Sequence, residues 1–94
     1  MSRARRVDAN HGTVIDALRR CGWLVQDTSR FGDGFFDGIA VRRGVVRFVE
    51  IKDGAKPPSR RQLTPDEGET HARFRAAGAA VVILESERDA EDLR

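Results

Sequence analysis

Two β-rich runs, Asp37 to Arg42 and Val45 to Lys52, are separated only by Arg43-Gly44. A connection that short makes the two runs an antiparallel hairpin, and the hairpin dictates which side chains can meet. The primed turns that fit a two-residue loop require positive φ at the first position, here Arg43. A glycine adopts it freely, whereas Arg43 makes the signal weaker than Asn-Gly would be. With Arg43 and Gly44 at the tip, Val41 faces Val46, Ile39 faces Phe48 and Asp37 faces Glu50, and Lys52 follows on the same face. A three-residue loop with a bulge at Gly44 would slip the pairing by one residue. It would set Arg47 beside Ile39 and invert every side chain, so the match of apolar partners favours the first register.

In that register two carboxylates stand opposite each other, with Cβ atoms about 4.5–5.5 Å apart. Like charges so placed are destabilising unless one is protonated or a cation lies between them. They also end a strip that is otherwise Ile39, Val41, Val46 and Phe48, where charge is costly. A hard divalent ion relieves both problems, because carboxylate oxygens, a backbone carbonyl and water are the ligands that Mg²⁺ prefers. Lys52 adds a mobile positive charge. These groups suit phosphodiester hydrolysis, in which a bound ion activates water and neutralises charge on the phosphate. The ammonium of Lys52 would orient the nucleophile or stabilise the negative charge that develops. An acid followed at a distance by Glu-x-Lys is common by chance, and its plainer reading is an exposed same-face pair after a strand-start Asp. The hairpin, its register and the basic loop that follows raise it above that reading.

Around the hairpin the chain reads as α-β-β-β-α-β-α, an α/β domain with a mixed sheet. Asp8 or Asn10 is placed to cap a first helix running to about Cys21, with Val14, Ile15, Leu18 and Cys21 as its apolar stripe and Gly22 as its stop. Trp23 to Gln26 is a short strand, and Thr28 to Gly34 is a loop broken by Gly32 and Gly34. After a polar loop from Asp53 to Gln62, Thr64-Pro65-Asp66-Glu67 combines a capping box, a first-position proline and acids at the positive end of the dipole. That helix should stop at Gly78. Ala79 to Leu84 reads as a buried strand, and a short acidic helix closes the chain.

With 94 residues the chain suits one compact domain, here 1–94, with a core over about 7–84 and an acidic tail over 85–94. A domain of this size buries only about 60–65% of its unfolded surface, and one cysteine, Cys21, offers no internal disulfide. No apolar run approaches the roughly 20 residues of a membrane span, and Met-Ser-Arg-Ala-Arg-Arg is not followed by an apolar stretch, so the expectation is cytoplasmic. Net charge is only +2, yet residues 42–61 hold seven basic groups against two acids. That imbalance, together with Arg3, Arg5 and Arg6, suggests an anionic partner such as a phosphate backbone, with Arg42, Arg43, Lys56, Arg60 and Arg61 as the binding groups. A solvated charged surface is the competing reading.

Phe36-Asp37-Gly38 and Phe48-Val49-Glu50-Ile51-Lys52-Asp53-Gly54 together resemble the PD-(D/E)XK nuclease core, and more narrowly the VRR-NUC family in its stand-alone, phage-like form. The resemblance spans roughly Val7 to Leu84 and takes in Val7-Asp8-Ala9-Asn10, Leu63-Thr64-Pro65-Asp66-Glu67 and Gly78. It implies a restriction-endonuclease-like αβββαβ core, with a mixed central sheet flanked by helices. It further implies that Asp37, Glu50 and the Ile51 carbonyl bind Mg²⁺, with Mn²⁺ as substitute, and that Lys52 is catalytic. Relatives of this size suggest an endonuclease of branched, Holliday-junction-like DNA that works as a homodimer. The chain departs from the family pattern at Phe36, where a proline is usual. It also lacks the helix-1 glutamate, for which Asn10 is preferred over Asp8 and Asp16, and it has Glu67 where a glutamine is common. A helix cap competes as the role of Asn10, and the capping box as that of Glu67.

His11 and His71 lack metal-ligand spacing and read as helix-surface or packing residues. Cys21 reads as core. Trp23, Phe31, Phe35 and Phe36 could stack on unpaired bases, but packing is the commoner use. Gly32 and Gly34 are not followed by the Lys-Ser/Thr of a phosphate-binding loop. Two rivals to the nuclease remain: a nucleic-acid-binding module of the same fold without chemistry, and an interaction protein whose charges are surface only.

Overall fold

The computed structural model describes residues 7–94, so Arg3, Arg5 and Arg6 lie outside the described residues. The elements run α1 (His11–Arg20), β1 (Leu24–Asp27), β2 (Gly38–Arg42), β3 (Val45–Ile51), a 3₁₀ turn (Pro58–Arg60), α2 (Pro65–Ala76), β4 (Val81–Leu84) and α3 (Glu87–Asp92). The strands form one sheet in the order β1-β2-β3-β4. β1 and β2 pair antiparallel, as do β2 and β3, while β4 runs parallel to β3. This is the mixed-sheet α/β arrangement expected from the sequence.

The hairpin has the register that apolar matching favours. Val41 pairs with Val46 and Ile39 with Phe48, and Arg42 pairs with Val45 across a two-residue turn. Arg43 and Gly44 both carry positive φ, 51° and 79°, as a primed turn demands. Alternation along the strands then divides the sheet into two faces. On one face Val25, Ala40, Val49 and Ile51 pack with Val14, Ile15 and Leu18 of α1 and with Ala90 of α3. The other face carries an aromatic cluster, in which Phe36 meets Phe48 at 5.2 Å and Phe74 of α2 at 5.0 Å between ring centroids.

Two local expectations need correction. Asn10 occupies the N-cap position of α1 but its side chain makes no cap bond. Its amide nitrogen instead donates to the carbonyls of Lys52 (3.1 Å) and Glu85 (3.2 Å), fastening the start of the helix to the chain just after β3 and just after β4. The last strand is shorter than Ala79 to Leu84, and it is not buried throughout, since Ile83 is 40% exposed. β4 lies at the edge of the sheet, so an apolar run there has a strand on one side only. The start of α2 is as expected: Thr64 and Glu67 form a reciprocal capping box. Among the described residues no helix is long and apolar enough to cross a membrane.

Candidate active site

Asp37 sits one residue before β2, its amide bonded to the carbonyl of Val49 and its carbonyl accepting from the Thr28 amide. Its carboxylate reaches across the hairpin, where Oδ2 accepts the Ile51 amide at 2.7 Å. Glu50 lies on β3, the strand hydrogen-bonded on both sides, and is 1% exposed; Asp37 is 5% exposed. The two carboxyl groups line the same cleft. Burial, then the charge of the neighbouring Asp37, push the Glu50 carboxyl up to about 10, well above the ordinary carboxylate range.

Lys52 follows β3 and reaches over this pair. Its Nζ lies 4.0 Å from Glu50 Oε2 and donates to Glu67 Oε1 at 2.8 Å. The same Glu67 oxygen accepts the Thr64 amide at 2.9 Å. Glu67 therefore caps α2 and at the same time pairs with Lys52. Burial opposes its charge, but the bonds from Lys52 and Thr64 outweigh this and hold the carboxyl below its ordinary value. These side chains, with Asp8 and Gly34, line a cleft of about 300 Å³.

The carboxylate pair suits a divalent cation. Among the described residues no group of three or more His, Cys, Asp or Glu side chains forms a ready metal cage. Mg²⁺ does not need one, because it commonly binds through one or two carboxylates and keeps several waters. A buried carboxyl pushed toward its neutral form by a neighbouring acid marks a place where a cation would be welcome. Asp37, Glu50 and the Ile51 carbonyl are the groups that could hold it. At the helix-1 side Asp8 lines the cleft, whereas Asn10 is turned to the two carbonyls.

The basic residues divide. Lys56 pairs with Asp8 (3.1 Å) and Arg61 with Glu85 (2.9 Å), and exposed Arg60 lies in the same loop. Arg42 and Arg43 are not brought to the cleft. They sit at the opposite end of the hairpin, roughly 17 Å of strand away. Arg42 donates to the carbonyls of Cys21 and Leu93 and lies over the Trp23 ring at 4.3 Å. Of the aromatics, Trp23 and Phe36 are buried in the protein. Phe31 is 68% exposed and stacks on Phe35 at 5.6 Å.

His71, expected from its spacing to be a helix-surface or packing residue, stands against the acid pair. It is 1% exposed, with Nε2 3.1 Å from Glu50 Oε1 and its ring against Phe36. Burial, aided by Arg75, lowers its pKa, so it stands neutral. A signal was available: Glu67, His71 and Phe74 fall at helical spacing on one side of α2, which has no apolar stripe to bury in their place. His11 is also buried, bonded to Asp27 at 2.9 Å; it ties α1 to β1.

No family model and no curated protein matches the sequence. Among solved structures, one described as a VRR_NUC domain is similar over 92% of this chain and 95% of its own, at 30% identity and a TM-score of 0.67. A likeness that extends over nearly all of both chains in fold and in sequence leads to one conclusion: the chain belongs to the VRR-NUC family of nuclease domains.

Proposed function

We propose that the protein is a cytoplasmic, divalent-metal-dependent endonuclease that hydrolyses phosphodiester bonds in branched DNA, using Mg²⁺ or in its stead Mn²⁺. The observation that carries this is the placing of two buried carboxyl groups, Asp37 and Glu50, in the lining of one cleft, with the Lys52 ammonium 4.0 Å from Glu50. Asp37, Glu50 and the Ile51 carbonyl would hold the ion, which when bound supplies Lewis-acid activation of a phosphate oxygen and of water. Lys52 places its charge where negative charge grows on the phosphate, and Glu67 keeps that ammonium extended over the cleft. Lys56, Arg60 and Arg61 would grip the strand without reading its bases. Phe31, exposed and stacked on half-buried Phe35, offers a flat surface to an unpaired base.

The test is a panel of matched linear, flapped and four-way DNA. Cleavage with Mg²⁺ or Mn²⁺, stopped by EDTA and lost in Lys52→Ala, is the expected outcome. Salt-sensitive binding without cleavage of any substrate would favour the non-catalytic module.

A homodimer is part of the proposal. Leu24, Val41 and Val46 form a continuous row across three strands on the face away from α1, and Leu24 is 76% and Val46 41% exposed. An apolar row of this kind suits the same row on a second copy. Replacing both Leu24 and Val46 with Glu should weaken self-association about 30-fold or more in sedimentation at micromolar concentration. A monomer before any substitution would remove the dimer from the scheme.

A further inference from the structure

We infer that His71 is a positioning residue that commits Glu50 to binding its cation through one oxygen, Oε2, and thereby sets the choice of Mg²⁺ or Mn²⁺ over Ca²⁺. The inference rests on the metal-dependent reading above. His71 Nε2 lies 3.1 Å from Glu50 Oε1, and both side chains are almost wholly buried. The other ring nitrogen, Nδ1, is buried with no hydrogen-bond partner. A buried N–H without an acceptor costs more than a buried lone pair without a donor, so the ring proton belongs on Nε2. Nε2–H therefore donates to Oε1. The ring cannot swing away, because it packs 4.9 Å from Phe36, which is itself fully buried.

With Oε1 held by the ring, Oε2 is the Glu50 oxygen on the Lys52 side, 4.0 Å from Nζ. A carboxylate with a single available oxygen fits the strict octahedral geometry of Mg²⁺ or Mn²⁺. Ca²⁺ takes more ligands at longer range and commonly engages both oxygens of a carboxylate. His71 thus disfavours the looser ion by holding one oxygen back.

The test measures binding of Mn²⁺ and of Ca²⁺ to the DNA-free protein, by electron paramagnetic resonance of unbound Mn²⁺ and by competition with Ca²⁺. His71→Phe keeps the ring and loses the donor. It should weaken Mn²⁺ about 10-fold or more and narrow the preference over Ca²⁺. His71→Gln puts an amide nitrogen where Nε2 stood and should restore both, whereas His71→Asn, whose nitrogen falls short of Glu50, should not. The Gln and Asn pair decides the matter even if the Phe variant does not fold. Equal Mn²⁺ affinity in all the folded proteins, or Gln no better than Asn, would overturn the role of His71 and leave the nuclease reading intact. No Mn²⁺ binding by the unaltered chain would overturn both.

Discussion

Glu50→Gln is expected to reduce cleavage by on the order of 10³ while making the metal-free protein more stable at alkaline pH. Loss of activity follows from replacing a charged oxygen by an amide that binds a hard cation poorly. The gain in stability has a separate cause. Burial and the neighbouring Asp37 raise the Glu50 carboxyl from its ordinary 4.5 to about 10 in the folded chain. The unfolded chain releases that proton near 4.5; the folded chain retains it. The stability this group contributes is therefore complete below about pH 4.5 and is lost progressively as pH rises toward 10. A glutamine has no proton to release and removes that slope. Urea denaturation in EDTA at about pH 5, 7 and 9 would reveal it, with the wild-type and variant stabilities diverging as pH rises. Parallel curves would show that Glu50 is not the strained acid described here.

Gly34→Ala should cost about 2–4 kcal/mol and lower the melting temperature by roughly 10 °C or more. Gly34 has φ +75°, and a Cβ there would lie 2.5 Å from the carbonyl carbon of Asp66 and 2.6 Å from its oxygen. Those are backbone atoms in the first turn of α2, so the helix must move to make room. Glu67 and His71 would move with it, so Mn²⁺ affinity should fall as well. Gly32→Ala is the control: φ is +72° there, but the added atom meets open space, and the cost should be only about 1 kcal/mol. Equal melting temperatures for the two variants would contradict the close approach of the loop to α2.

The hairpin was legible from sequence because its determinants are local. Two residues at the tip set the register, and the register set which acids meet. The capping box of α2 was legible for the same reason. What the sequence hid depends on contacts between distant segments. Asn10 reads as a helix cap until the carbonyls of Lys52 and Glu85 draw its amide away. Arg42 reads as one of a basic series, yet it is held by Trp23 and by two carbonyls at the far end of the hairpin. His71 was hidden differently: its spacing to Glu67 and Phe74 was in view, but a histidine turned inward means little until its acceptor on another strand is known.

The inner side of α2 is fastened to the sheet partly by ionisable groups, Glu67 through Lys52 and His71 through Glu50. Grease adheres whatever fills the space beside it, whereas these attachments shift with every proton or ion that enters or leaves. Loading the cleft and tightening the helix are in that sense one equilibrium, and an empty protein should be a looser one.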